Sequence, residues 1–148
     1  MSWNKVTIAG VGLLGGSLGL ALKQRGLART VHGLVRRRVS LAECARLGVV
    51  DQVTCDPQDA ASDADLVVLC TPLGRMRETL EPMLPALKSG TIITDVGSVK
   101  AGVMSELEPL ATGVGAHFVG SHPMAGAEKT GSWQSSSWMT APVFASRT

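Results

Sequence analysis

The chain has 148 residues and a mass of 15.4 kDa, enough for one domain with a proper core and too short for two. Hydrophobic residues make up 45% and charged residues 18%, which excludes a disordered or highly charged tail. A net charge of +2, with 3% aromatics and no Tyr, gives no electrostatic or stacking case for nucleic acid or membrane.

Punctuation and periodicity predict alternating strands and helices. Lys5-Val-Thr-Ile-Ala9 is short and β-branched and runs straight into glycine, the pattern of a buried strand. Val6 to Leu22 is an uncharged, mostly apolar run that could be read as a signal peptide or a membrane span. Five glycines break it early, and it falls short of a spanning length, so a soluble strand–turn–helix is preferred. Leu13 to Arg25 reads as a helix stopped by Gly26, and Thr30 to Val35 as a second strand. Ser40 is placed as the N-cap of a helix over Leu41 to Leu47, with Glu43 completing a capping box and Gly48 at the stop.

Asp65 to Cys70 is the strongest predicted strand, ended by Pro72. Arg75 to Leu87 reads as a helix interrupted by Pro82 and Pro85, and Thr91 to Thr94 as a strand. Ser98 to Leu107 follows as a helix, and His117 to Gly120 as a last strand. Beyond Gly131 the pattern dissolves, and Trp133, Trp138 and Met139 fit core or interface equally well. Apolar strands separated by helices imply an α/β fold: a doubly wound, mostly parallel, Rossmann-type sheet covered on both faces, one domain over 1–148.

Gly10-Val-Gly-Leu-Leu-Gly15 is a G-x-G-x-x-G between a strand and a helix. Gly10 would permit the tight turn, Gly12 the approach of a pyrophosphate, and Gly15 close packing of helix on strand, with Leu13 and Leu14 completing the loop. Free N–H groups at the helix start then favour an anion. The alternative is a purely structural turn; the flanking strand and helix favour dinucleotide binding. An NAD binder places a carboxylate about twenty residues on, at the end of the second strand. That place holds Val35, followed by Arg36, Arg37 and Arg38. Guanidinium groups suit a 2′-phosphate, so NADP is expected over NAD, against the plainer reading of a solvated basic loop.

His32 and His117 lie in strands and read as structural; no metal-ligand spacing occurs. His122 sits in Gly120-Ser-His-Pro-Met-Ala-Gly126 after a strand, at the sheet edge where such folds bind ligands. It is either a general base or a plain loop histidine. Ser98, in Asp95-Val-Gly-Ser-Val-Lys100, is either a helix cap or a hydroxyl that orients His122 or the substrate. Cys70, Thr71 and Pro72 would flank the same cleft, with Cys70 an inert buried thiol. Cys44, Cys55 and Cys70 form no C-x-x-C pair, which points away from a disulfide framework and toward a reducing cytoplasm.

Val11-Gly-Leu-Leu-Gly-Gly-Ser-Leu18, Leu69-Cys-Thr-Pro72, Thr94-Asp-Val-Gly-Ser-Val-Lys100 and Gly120-Ser-His-Pro-Met-Ala-Gly126 together resemble the prephenate/arogenate dehydrogenase family of tyrosine biosynthesis. The resemblance covers nearly the whole chain and continues through Glu128-Lys-Thr-Gly131. It implies that His122 takes the proton of the ring 4-hydroxyl of prephenate or arogenate while hydride leaves the same carbon for NADP or NAD. Ser98 would hold that geometry, and loss of CO2 would make the step irreversible. The family also implies a helical domain that dimerises and supplies an arginine to the substrate carboxylate; no residue here matches it. The sequence therefore reads as the nucleotide-binding domain alone, with cofactor binding retained and turnover weak or absent. Apolar surface left by the missing helices would favour self-association, as in a homodimer. A cofactor-binding module without catalysis, or half of a split enzyme, is the alternative. A dehydrogenase of the β-hydroxyacid type fits the glycine loop but not the Ser-His-Pro-Met-Ala-Gly loop.

Overall fold

The computed structural model describes residues 2–96 and 100–120. Six strands form one sheet: β1 (Trp3–Ala9), β2 (Ala28–Leu34), β3 (Gln52–Thr54), β4 (Leu66–Leu69), β5 (Ile92–Asp95) and β6 (His117–Val119). Their order is β3-β2-β1-β4-β5-β6, and all the pairings among them are parallel. The helices are α1 (Leu13–Gln24), α2 (Val39–Leu47), α3 (Pro57–Ala61), α4 (Met76–Leu80) and α5 (Lys100–Gly113). This is the doubly wound dinucleotide-binding topology, whose order reverses between β1 and β4 and opens a crevice at their C-terminal ends.

The alternation of side chains along the strands divides the core into two layers. On one face Val6, Ile8, Val31 and Val68 pack with Leu22, Cys44 and Val50 beneath α1 and α2. On the other, Ala9, Leu34, Val67, Leu69, Ile93 and Phe118 pack with Ala60, Met76, Leu80, Met83, Leu107 and Ala111. Thr7 faces the second layer and stays paired there, its hydroxyl donating to the Ala60 carbonyl at 2.6 Å.

Several boundaries differ from expectation for local reasons. Arg38 already has helical angles (φ −58°, ψ −33°), so α2 starts two residues before Leu41. No side chain caps it, and the proposed Ser40–Glu43 capping box does not form. Instead the Ser40 and Leu41 amides donate to the Arg37 and Arg38 carbonyls at 3.0 and 3.1 Å. The interrupted helix after β4 resolves into a 3-10 turn at Leu73–Arg75, then α4, then a second 3-10 stretch at Glu81–Ala86 that holds both prolines. α5 runs on to Gly113 and accommodates Pro109. The edge strand β3 and the five-residue α3, capped by the Asp56 carboxylate on the Gln58 amide at 2.9 Å, have no counterpart in the sequence reading.

His32 has the structural role expected of it, under strain of a chemical kind. Its side chain is 4% exposed, Nδ1 has no hydrogen-bond partner among the described residues, and Nε2 stands 3.8 Å from the Asp59 carboxylate. Burial first, and the Lys5 charge second, hold its pKa below the usual 6.5 against the opposing pull of Asp59. The folded chain therefore refuses a proton that the unfolded chain accepts. This contribution to stability is intact above the unfolded value and erodes as pH falls from it toward the folded value. Urea midpoints should accordingly drop between pH 7 and pH 5, and drop less in His32→Leu. Parallel pH profiles for the two proteins would refute this assignment.

Candidate functional site

Three loops meet at the C-terminal edge of the sheet. The ladder continues just past each strand: the Gly10 amide donates to the Leu34 carbonyl at 2.9 Å, Cys70 to Ala9 at 2.8 Å, and Val35 to Thr54 at 2.9 Å. The ends of β1, β2 and β4 are thereby fixed side by side. Gly10 turns the chain with φ +98°, and a side chain there would stand 3.0 Å from the Thr71 methyl. A Cβ on Gly15 would run into the Gly10 carbonyl oxygen, so α1 packs directly against the turn that precedes it. Gly12 is different. No atom lies within 4 Å of the position its Cβ would take, and it faces open space.

That space is a cleft of about 530 Å³ lined by Gly10, Val11, Gly12, Val35, Arg36, Arg37, Ser40 and Arg75. Of the residues expected to hold a cofactor, Gly10, Gly12, Val35, Arg36 and Arg37 line this one cleft. Leu13, Leu14, Gly15, Cys70, Thr71 and Pro72 flank the cleft without lining it. Leu13 is exposed, and Gly15 is buried under the turn. Thr71 packs its methyl on Gly10, while its buried hydroxyl has no partner among the described residues. Burial alone pushes the Cys70 thiol up to about 12, so it stays neutral and unreactive. Val35 is 6% exposed; its side chain belongs to the core and its backbone to the cleft.

Val11, Ser40 and Arg75 line the cleft as well and lie outside the set expected from the sequence. The sequence pattern points to Ser40 as a cap, and the turn at Arg37–Arg38 frees its side chain instead. Arg75 follows β4, and the rule that loops at this sheet edge converge could have singled it out. The wall carries three guanidinium groups and no carboxylate. Such a surface, beside an open Gly12, suits the phosphate groups of a dinucleotide chemically. Ser98 and His122 lie outside the described residues.

Residues 18–143 match the family described as prephenate dehydrogenase, nucleotide-binding domain. The chain belongs to that family. The matched span contains the Leu69–Pro72, Thr94–Lys100 and Gly120–Gly126 segments and starts just after the glycine turn. The family chain is 39% identical over 127 residues to a cyclohexadienyl dehydrogenase of Zymomonas mobilis, covering 85% of this chain and 42% of that one. It is 33% identical over 128 residues to a prephenate dehydrogenase of Lactococcus lactis, covering 86% and 36%. It thus spans well under half the length of these curated relatives. Among solved structures, the A. aeolicus prephenate dehydrogenase in complex with hydroxyphenyl propionate and NAD+ matches with a TM-score of 0.75 at 32% identity, over 87% of this chain and 44% of that one. The Synechocystis arogenate dehydrogenase matches at 0.73 and 32%, over 84% and 42%. 3-Hydroxyisobutyrate dehydrogenases and imine reductases at 16–22% identity share the fold.

Proposed function

We propose that this chain is the nucleotide-binding part of a prephenate or arogenate dehydrogenase and that it takes NADP in preference to NAD. One observation carries the cofactor preference: the cleft that opens beside Gly12 is walled by arginines and has no acid. Gly12 would admit the pyrophosphate to the start of α1, where free amide groups point at it. Arg36 and Arg37 would neutralise the 2′-phosphate through charge-assisted hydrogen bonds. When bound, the nicotinamide ring supplies the acceptor for the substrate's hydride.

The chain's own part in the chemistry is proton handling and placement. His122 would accept the proton of the ring hydroxyl, a task for which an imidazole nitrogen is suited. Ser98 would hold the imidazole or the hydroxyl in the reacting geometry. For these 148 residues alone we propose cofactor binding with weak turnover or none, since no residue here matches the family's substrate-carboxylate arginine. The free thiols Cys44, Cys55 and Cys70 suit a reducing cytoplasm.

Fluorescence titration with NADPH and NADH tests the first part, and NADPH should bind more tightly. Equal affinities would remove the role given to the arginines. Turnover is then assayed with prephenate and arogenate. His122→Asn should abolish whatever rate is found while leaving NADPH affinity within about twofold, because a base removed from the chemistry removes no cofactor contact. Turnover that survives His122→Asn would overturn the catalytic assignment.

A further inference from the structure

The least explained residue of the cleft is Arg75. Its backbone is held firmly: its amide donates to the Pro72 carbonyl at 2.9 Å, and its carbonyl accepts the Thr79 hydroxyl at 2.8 Å. Its side chain has neither a hydrogen bond nor an ion pair among the described residues. Arg77, two residues further on, is by contrast tied to Glu81 at 2.7 Å. A fixed backbone therefore presents an uncommitted guanidinium to the cleft from the β4 side. Arg36 and Arg37, likewise without side-chain partners among the described residues, present two more from the β2 side.

Three like charges around one cleft repel one another, and no lining carboxylate relieves them. A flat, neutral purine stacked on one of them would leave that repulsion in place. A phosphate dianion between the two walls removes it, since its oxygens accept charge-assisted hydrogen bonds from several directions. Ser40, at the β2 wall, adds a hydroxyl with no other partner among the described residues.

We propose that Arg75 is a specificity residue for the phosphorylated dinucleotide, closing on the adenosine 2′-phosphate from the β4 wall opposite Arg36 and Arg37. The inference rests on the NADP reading and goes beyond it by naming the loop after β4 as half of the phosphate site. The exposed position of Arg75 means that its substitution should leave folding unchanged, which a thermal melt will register.

The test uses the 148-residue chain and two fragments of the cofactor, 2′,5′-ADP and 5′-AMP, titrated by calorimetry. Wild-type protein should prefer 2′,5′-ADP. Arg75→Ala should lower its affinity for 2′,5′-ADP about tenfold, the worth of one charge-assisted hydrogen bond of about 1.5 kcal/mol. Affinity for 5′-AMP should stay within about twofold, and Arg75→Lys should restore part of the loss. Equal losses for both fragments would mean that Arg75 meets the adenine, and the proposal falls. Unchanged binding of 2′,5′-ADP in Arg75→Ala also overturns it. If Arg36→Ala removes the preference while Arg75→Ala keeps it, the NADP reading survives and only this inference fails. No preference in the wild-type chain would sink both.

Discussion

Gly15→Ala is expected to destabilise the fold by about 3 kcal/mol, at the upper end of ordinary overpacking, while Gly12→Ala leaves stability within about 0.5 kcal/mol. Both glycines belong to one motif, yet the structure separates their roles. A methyl group on Gly15 meets the Gly10 carbonyl oxygen and comes within 3.0 Å of the Ile8 side chain. The carbonyl sits in a turn whose own amide is bonded to Leu34, and Ile8 is fully buried, so neither neighbour can retreat cheaply. At Gly12 the same methyl group meets nothing within 4 Å. It would occupy the space into which a pyrophosphate must come, so affinity for NADPH should fall about tenfold or more, or 1.4 kcal/mol per decade. Urea denaturation and a cofactor titration, run on both variants, check the two halves separately. A Gly12→Ala protein that binds normally would show that the open face of the turn is not where the ligand lies. A Gly15→Ala protein as stable as wild type would show that the helix can shift away from the turn.

Much of this fold was legible in the sequence because it rests on local, redundant signals. The β-branched runs at Val6 and Val67, the glycine turn, and the stops at Gly26 and Gly48 each point to the same element from more than one direction. β3 was not legible because three residues, Gln52-Val-Thr54, carry no period; the edge of the sheet defines them through pairing with His32, Gly33 and Leu34. α3 has a short sequence signature, the Asp56-Pro57 pair of an N-cap followed by a proline at the first helical position, but its five residues are too few to show a helical period. Ser40 shows how a strong local rule can lose. Its spacing to Glu43 fits a capping box, but the chain is already helical at Arg38, and the Ser40 and Leu41 amides bond to the Arg37 and Arg38 carbonyls instead. At the cleft, the glycine turn and the two arginines after β2 are legible from the sequence because each follows a predicted strand of one β-α-β unit. Arg75 was missed because only the β1–β4 crossover brings it to them.

Arg36→Ala together with Arg37→Ala is expected to weaken NADPH binding by about 30-fold or more, two charge-assisted bonds each worth roughly 1.5 kcal/mol less solvent screening. NADH, which has a hydroxyl in place of the 2′-phosphate, should lose no more than about threefold, the worth of weak long-range attraction to the pyrophosphate. Both side chains are exposed, so the substitution should leave the fold alone. The same electrostatics predicts a salt signature. Raising ionic strength should shrink the NADPH advantage of the wild-type chain and leave the variant, which has little advantage to lose, nearly unmoved. Val35 explains why an NAD-type site is not one substitution away. Its side chain is packed in the core with Val31 and Cys44 rather than held out to the cleft, so an aspartate there would be buried before it could reach a ribose. Val35→Asp should therefore destabilise the chain without raising NADH affinity. Tighter NADH binding by that variant, or matched losses of NADH and NADPH in the double alanine protein, would show that the coenzyme is chosen elsewhere.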